Sequence, residues 1–446
     1  MKKSIFLLLA MVVLVVAVGA CASAPETAPP EQEAPEISNA APEVETEPIE
    51  TEQLDEQVPA SDVTLTIMTN MAGVANEVFG DVTREFTAET GIAVDYAAPA
   101  ADFEALMRTR MATGDLPDVW STHGWAVARY SPFLRPLNDQ PWVDQISPMI
   151  APMITGPTGN VYVIPVDMDI AGIVYNRDIL ASVDISVDDI RTWADFEMAL
   201  EAVQEEGYIP IKVGGTDDWT IGQLGNYIAP SFFVTNEAHN YQDELLNGTF
   251  DWDLWDSVAE MIRDWNERGF FNIDATTSDY ATITRELGQG NVAFAFFGNY
   301  AIADGNQLGP ANLGMMWVPS NDPADEPTLV AGERLAVGVW NDTPYEEEAL
   351  LFLEFLARPD VMARLAEANG MAAGFTGVQV DLGDLQQDYD RYANLRTFPY
   401  FDRVFLPGGM WDFMCDTTIG ILNSSMTNEQ VITVMRDAFT ERFGVE

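Results

Sequence analysis

Lysine, histidine and cysteine are the residues that this sequence largely lacks. Its 446 residues include two histidines and two cysteines, and the only lysines are Lys2, Lys3 and Lys212. The formal net charge is −50 at pH 7. A nucleic-acid-binding protein needs clustered lysine and arginine to neutralise phosphates, so nucleic acid is excluded as a partner. The acidic excess is interpreted as a charged surface, because net charge bears on solubility and not on fold.

The scarcity of cysteine and histidine excludes two further kinds of site. With Cys21 assigned to lipidation (below), Cys415 has no partner for an internal disulfide. Cys415 lies in the apolar sequence WDFMC, which predicts a small packed side chain and not a nucleophile. Two histidines are too few for a zinc site with several His or Cys ligands. We predict no metal and no cofactor.

The N-terminal region is predicted to be a targeting signal. Two lysines precede an apolar run at residues 5–18, which is typical of a signal peptide at residues 1–20. The following sequence, VGAC at 18–21, resembles a bacterial lipoprotein box and implies that Cys21 carries lipid. An ordinary signal peptide or a short membrane span is the alternative. No later stretch approaches the roughly 20 apolar residues that a membrane span needs.

Residues 21–61 are predicted to be a lipid-anchored tether. The segment 22–60 is rich in Pro, Glu, Ala and Thr and contains no basic residue. Such a segment cannot bury enough apolar surface to offset the entropy lost on ordering, so we expect disorder. The protein is therefore expected outside the cytoplasm, held at a membrane by lipid.

Strand and helix patterns alternate from residue 63 onward, which predicts an α/β fold. A parallel sheet with helices on its faces gives this order. The first predicted strands are at 63–68, 92–96 and 118–120, and the helices between them are at 74–86 and 103–111. Ligands of such sheets bind at the carboxyl ends of the strands, which here means Asn70, Met71 and the segment 121–125 with His123 and Trp125.

The segment 158–177, TGNVYVIPVDMDIAGIVYNR, is predicted to be a hinge beneath a ligand cleft. Two short apolar runs read as strands, and Asp167 and Asp169 lie between them. Residues two apart on a strand point the same way, so both acids are expected on one side. Pro165 favours a strand end or edge.

Further elements are predicted along the rest of the chain. The expected helices are at 192–205, 254–268, 346–358, 361–368 and 428–443, and the expected strands are at 209–213, 292–297, 315–318 and 335–340.

Several short fragments, in their order and spacing, resemble the extracellular solute-binding proteins of ABC importers, in the cluster that includes maltose- and oligosaccharide-binding members. The resemblance covers essentially everything from residue 63 onward. The fragments are at 114–119, 134–137, 175–177, 192–196, 287–294, 298–300 and 331–337.

The resemblance implies a two-lobe α/β periplasmic-binding-protein fold, type II-like, with hinge crossovers and a ligand cleft between the lobes. Lobe I is expected at 62–168 plus 332–378 and lobe II at 169–331 plus 379–446. The implied function is that of a monomeric binding lipoprotein that captures a sugar or oligosaccharide and delivers it to a membrane permease. Asp169 aligns with an acidic ligand position of the maltose-type members.

A sugar site needs aromatic side chains for the faces of the rings and planar carboxylates or amides for the hydroxyls. Aromatic residues in predicted loops and polar residues at strand ends meet this need, although Asp167 is equally well interpreted as a turn cap. The predicted ligand-binding residues are Asn70, Met71, His123, Trp125, Asp167, Asp169, Trp219, Tyr300 and Trp411.

The sequence bears on four alternative functions: a glycosidase, a polyamine binder, a ligand sensor and a calcium binder. A glycosidase needs carboxyls about 5–9 Å apart on opposite sides of the scissile bond, which two acids on one face of a strand do not supply, so an enzyme is not expected. A polyamine would use the same acids and aromatic rings and stays open. A ligand-sensing lipoprotein also stays open. The acidic segment 251–256 lacks the glycine and the closing glutamate of a calcium loop and is interpreted as a helix start.

Overall fold

The computed structural model describes residues 61–71, 73–99, 103–122, 130–156, 158–392 and 394–444. The predicted signal peptide, Cys21 and nearly all of the predicted tether lie outside the described residues. Among the helices in the described ranges, none combines the length and the apolar character that crossing a bilayer requires.

The strands of the described chain are short and mostly buried. In chain order they are β1 (Thr64–Met68), β2 (Ala93–Ala97), β3 (Val119–Thr122), β4 (Ile164–Pro165), β5 (Asp167–Ala171), β6 (Ile173–Asn176), β7 (Ile209–Ile211), β8 (Val292–Ala295), β9 (Leu313–Met316), β10 (Leu329–Gly332), β11 (Ala336–Val339), β12 (Ala372–Ala373) and β13 (Thr397–Pro399).

Helices connect most of these strands and cover the sheets. They are α1 (Gly73–Thr90), α2 (Phe103–Thr113), α3 (Ala151–Ile154), α4 (Arg177–Ser182), α5 (Trp193–Glu205), α6 (Trp219–Phe233), α7 (Gln242–Asn247), α8 (Asp256–Glu267), α9 (Tyr280–Gly288), α10 (Tyr300–Leu308), α11 (Glu346–Leu356), α12 (Pro359–Ala368), α13 (Gln386–Tyr392), α14 (Phe401–Val404), α15 (Met410–Leu422) and α16 (Asn428–Arg442).

Local sequence accounts for several of the helix ends. Thr192 accepts a hydrogen bond from the Asp195 amide, and the Asp195 carboxylate accepts one from the Thr192 amide, so the helix predicted at 192–205 begins at Trp193. Thr427 and Gln430 cap α16 in the same way. Asp251 accepts from the Asp253 amide and begins a 3₁₀ turn that leads into α8, as its acidic sequence predicted.

The first sheet has the strand order β2-β1-β3-β11-β4. Strand β1 pairs in parallel with β2 and β3, and α1 and α2 form the connections, which confirms the predicted α/β pattern. Strand β11 runs antiparallel to β3 and β4. The carboxyl ends of β1 and β3 lie side by side, and the Asn70 amide donates a hydrogen bond to the Ser121 hydroxyl at 3.0 Å.

The second sheet has the order β7-β8-β6-β9, and a third sheet, β12-β5-β10-β13, contains the predicted hinge strand β5. The first apolar core includes Leu65, Phe79, Trp120, Val337 and Phe352, and it extends to one face of the second sheet through Val174 and Ala295. The second core is rich in aromatic side chains and includes Tyr175, Phe196, Trp265, Phe294 and Phe296. The architecture agrees with the expected two-lobe α/β fold.

Candidate ligand-binding site

A cavity of about 390 Å³ opens above strand β5, a size within the usual range of small-molecule sites. Its lining comes mainly from the starts of helices and from the segments that follow β10 and β13. The lining residues are Asn70, Asp169, Trp219, Gln223, Asn226, Tyr280, Tyr300, Asp304, Glu333, Arg334, Tyr400, Asp402, Arg403 and Trp411.

Three aromatic rings form one wall of the cavity. The ring centroids of Trp219 and Tyr280 are 5.0 Å apart, and that of Tyr300 is 6.5 Å from Trp219 and 6.3 Å from Tyr280. Each residue begins a helix, α6, α9 or α10, so backbone geometry fixes the root of each ring. The Tyr280 hydroxyl donates to Asp304 at 2.7 Å. The wall therefore offers apolar faces with polar groups at their edges.

Trp411 is another aromatic side chain of the cavity, and it belongs to a different helix from the three rings of the wall. It lies in the first turn of α15, next to α6. Gly222 of α6 makes this packing feasible, because a Cβ atom there would lie 2.6 Å from Cys415 Sγ and 2.9 Å from the Trp411 ring. Cys415 is buried beneath Trp411, and burial raises the pKa of its thiol, as expected for a packed side chain and not for a nucleophile.

Asp169 is a buried carboxylate of the cavity. Its Oδ2 accepts a hydrogen bond from the Tyr400 hydroxyl at 2.9 Å. Its Oδ1 has no hydrogen-bond partner of normal geometry within the described residues. Gly298 leaves room for this carboxylate, since a Cβ atom at 298 would lie 2.6 Å from Oδ1 and 2.6 Å from the Tyr300 ring. Asp169 thus belongs to the cavity lining, while its Oδ1 atom itself lies buried against Gly298.

The electrostatic surroundings of Asp169 are mixed. Burial raises its pKa, while the Tyr400 hydroxyl and the positive charges of Arg403 and Arg334 oppose part of that rise. The two guanidinium groups cover tyrosine rings: Arg334 lies 5.5 Å from the Tyr300 centroid and Arg403 lies 4.2 Å from the Tyr400 centroid. The cavity therefore contains both strong donors and strong acceptors close to aromatic faces.

Two amides of α6 complete the polar lining. Gln223 and Asn226 are buried, one and two turns after Trp219 on the same helix. The Asn226 side-chain oxygen accepts from the backbone amide of Asp402 at 3.0 Å, and its amino group donates to Gln223. This bond connects α6 to the segment that carries Tyr400 and Arg403.

Five of the nine residues predicted from sequence line the cavity: Asn70, Asp169, Trp219, Tyr300 and Trp411. Met71 is buried and does not line it. His123 and Trp125 lie outside the described residues. The expectation that Trp219 and Trp411 lie in loops was wrong, because both lie in the first turns of helices.

Asp167 also does not line the cavity, in contrast to its place among the predicted ligand-binding residues. Its carboxylate is fully buried and accepts hydrogen bonds from the amides of Arg334 and Leu335 and from the Asn369 side chain. Both of its oxygens accept hydrogen bonds from the protein, so Asp167 has a structural role. This role is closer to the turn cap that was the alternative interpretation of this residue.

Sequence reasoning missed several lining residues. Gln223 and Asn226 follow Trp219 by four and seven positions, a helical spacing that marks one face. Glu333 and Arg334 belong to the fragment 331–337, which supported the family resemblance but was not assigned to the site. No local signal distinguished the remaining residues, which are Tyr280, Asp304, Tyr400, Asp402 and Arg403.

This fold and this site define a binding protein for a small solute. Residues 81–396 match the family described as bacterial extracellular solute-binding protein, and the chain belongs to that family. The family consists of substrate-binding proteins that act outside the cytoplasm.

Individual relatives agree with this assignment. The chain is 32% identical over 357 residues to the melibiose/raffinose/stachyose-binding protein MelE of Bacillus subtilis, which covers 79% of this chain and 83% of that protein. A crystal structure of the binding protein MsmE of Bacillus subtilis, in an open conformation, superposes with a TM-score of 0.80 at 30% identity and covers 85% of this chain and 97% of that one. A sugar transporter protein of Bacillus licheniformis, crystallised with stachyose, has a TM-score of 0.76 at 31% identity over 85% of this chain and 100% of that one.

Proposed function

We propose that this protein captures a neutral oligosaccharide of the melibiose, raffinose and stachyose series and delivers it to the membrane permease of an ABC importer. The observation that carries the proposal is the cavity lining, in which the buried carboxylate of Asp169 lies beside the rings of Tyr300 and Trp219. Its Oδ1 makes no hydrogen bond of normal geometry to the described residues, so a ligand hydroxyl that reaches it would offset part of the cost of its burial.

Sugar chemistry matches the lining of the cavity. A pyranose ring has C–H groups on its faces, which pack on aromatic rings, and hydroxyls around its edge, which pair with carboxylates, amides and guanidinium groups. The wall of Trp219, Tyr280 and Tyr300 and the separate ring of Trp411 offer two such platforms. A ligand of more than one ring would use both. The relatives named for melibiose, raffinose and stachyose support this substrate class.

A polyamine fits less well than a sugar. The lining carboxylates would attract a cation, but Arg334 and Arg403 already lie over the rings of Tyr300 and Tyr400. These guanidinium groups cover two of the aromatic faces that a ligand ammonium could use, and their charges would repel it.

The transport role includes the lipid anchor at Cys21 and closure of the two lobes. We propose that lobe I (62–168 plus 332–378) and lobe II (169–331 plus 379–446) close over the ligand, and that the closed form docks on the permease. A ligand favours closure only by binding the closed form more tightly.

Isothermal titration calorimetry tests the proposal directly. The folded chain without its first 60 residues is titrated with raffinose, stachyose, melibiose, maltotriose and spermidine. We expect a Kd near 1 μM, about −8 kcal/mol, for at least one of the first three sugars. A protein that is folded by circular dichroism, and that binds spermidine but none of the sugars at millimolar concentration, would refute the sugar assignment.

A further inference from the structure

Three segments of the chain pass between the two large sheets. The first is β5, because β4 belongs to the first sheet and β6 to the second. The second is β10 with the residues after it, which lie between β9 of the second sheet and β11 of the first. The third runs from α12, which packs in the first core, through β12 to β13 and the helices of the second core.

The third sheet collects strands from all three passages. Strand β5 pairs antiparallel with β10 on one side and with β12 on the other. Beyond the end of the ladder, the Val166 amide donates to the Leu335 carbonyl at 2.9 Å, and the Gly374 amide donates to the Val166 carbonyl at 3.1 Å. The three passages are therefore in direct contact beside residue 166.

Asp167 belongs to the first passage, and its carboxylate accepts hydrogen bonds from the other two. Oδ1 accepts from the backbone amides of Arg334 at 2.8 Å and Leu335 at 2.9 Å. Oδ2 accepts from Asn369 Nδ2, also at 2.8 Å. Asp167 itself belongs to the first passage, Arg334 and Leu335 to the second, and Asn369 begins the third. The residues that connect β10 to β11 belong to no strand, and this one side chain accepts hydrogen bonds from two of their backbone amides.

These bonds are buried and the acceptor is charged. Asp167 has no exposed surface, and Leu335 and Asn369 are buried as well. Burial raises the pKa of Asp167 to about 6, against the lowering by the two backbone amides and by the charge of Arg334, while the charge of Asp169 raises it further. At neutral pH the carboxylate is therefore ionised, and hydrogen bonds to an ionised acceptor are the stronger kind.

We propose that Asp167 is a positioning residue for ligand binding, which fastens the three passages together next to the first sheet and so fixes where the two lobes bend. The inference rests on the proposed function. Asp169 lies two residues beyond Asp167 on the same strand, and Arg334, whose amide Asp167 holds, also lines the cavity. Because the passages are held together at Asp167, backbone rotation during closure is confined to the residues between Asp167 and the second sheet. It also keeps two cavity residues in register.

The test compares Asp167→Asn with a matched control, Asp118→Asn. Asp118 is also a buried aspartate, and its carboxylate accepts from the Thr66 amide, the Thr66 hydroxyl and the Thr343 hydroxyl, away from the passages and the cavity. Asp167→Asn keeps one oxygen acceptor but places an amino group against the amino group of Asn369. Asn369→Ala is a milder second variant, in case the first does not fold.

Two readouts separate a positioning role from a merely structural one. Small-angle scattering of the ligand-free protein reports the distribution of lobe openings, and calorimetry with the sugar that binds the wild type reports Kd. Both aspartate variants are expected to lose thermal stability. Only the variants at 167 and 369 are expected to change the opening distribution and to raise Kd by about fivefold or more, the lower end of typical couplings between distant parts of a protein.

A double exchange, Asp167→Asn with Asn369→Asp, restores a donor–acceptor pair and is expected to recover much of the affinity. Variants at 167 and 369 that match the control in opening distribution and in Kd would overturn the inference. A wild type that binds no sugar would refute the proposed function instead, and the scattering comparison would still decide the role of Asp167.

Discussion

Replacing Asp169 with asparagine is expected to weaken sugar binding without weakening the fold. The Tyr400 hydroxyl can still donate to the amide oxygen, as it donates to Oδ2 at 2.9 Å in the wild type. The amino group then takes the place of Oδ1, where it can donate a hydrogen bond but not accept one. The ligand loses an acceptor, and the interior loses a carboxyl group whose charged form burial disfavours.

The two effects have opposite signs. A hydrogen bond to a charged group contributes about 1.5–3 kcal/mol and one between neutral groups about 0.5–1.5 kcal/mol, so the loss is about 1–2 kcal/mol, or about 5- to 30-fold in Kd. Burial raises the pKa of Asp169, which means that ionisation costs the folded state more than the unfolded state. The neutral form of Asp169 therefore favours the folded state. This stabilisation is complete below the pKa of the unfolded state and is lost as pH rises through the pKa of the folded state. At pH 7 the variant is therefore expected to melt no lower than the wild type.

The assay pairs calorimetry at pH 7 with thermal melts between pH 4 and 8. The stability advantage of Asp169→Asn should shrink on acidification, because the wild-type carboxylate becomes neutral as well. The control Asp118→Asn should show lower stability and an unchanged Kd, since its carboxylate accepts from Thr66 and Thr343, which do not line the cavity. An unchanged Kd for Asp169→Asn, or a loss of stability as large as that of the control, would refute the reasoning.

The other predictions concern the aromatic platform, the space around the carboxylate and the titration of Asp167. Trp411→Ala should raise Kd by roughly tenfold or more, as expected for loss of a buried aromatic face, with the circular dichroism spectrum unchanged. Gly298→Ala should also weaken binding, because the new methyl group meets the Asp169 carboxylate at 2.6 Å. Gly80→Ala in α1 is the control and should bind normally, because the atom nearest to its new methyl group, on Arg84, lies at an ordinary 3.4 Å. Burial raises the pKa of Asp167 from 3.8 to about 6, so its contribution to stability falls as pH rises from about 4 to about 7, by about 3 kcal/mol at most. The stability of the wild type relative to Asp167→Asn should therefore fall over that interval, and parallel melting curves would contradict the shift.

Local sequence patterns were enough to predict the parts of the site that lie at the ends of elements. Asn70 follows a strand whose apolar pattern is unambiguous, and Tyr300 follows the buried strand β8. Trp219 and Trp411 are preceded by glycines and polar residues, which indicated a break in regular structure. The break was real, but each tryptophan begins a helix after it. A side chain in the first turn of a helix can be as accessible as one in a loop, so both tryptophans line the cavity although neither lies in a loop.

The residues around the Asp169 carboxylate could not be predicted, because they depend on pairing between distant segments. Tyr400 is 231 positions from Asp169, and β10 and β13 bring it there by forming neighbouring strands of one sheet. Strand β13 has three partly buried residues and contains a proline, so it has no periodic signal of its own. Arg403 follows in the same segment. Such contacts are visible only when the order of the strands is known.

Asp167 and Asp169 illustrate how two identical residues on one strand acquire different roles. Their spacing predicts the same face, and nothing in the local sequence ranks one above the other. The number of donors that the fold supplies does rank them. Asp167 receives three hydrogen bonds from the protein, so a ligand could reach it only by displacing a donor that would then be buried without a partner. Asp169 receives one side-chain hydrogen bond, from Tyr400, and it lies in the cavity lining. The carboxylate with fewer protein donors is therefore the one of the two that a ligand can use.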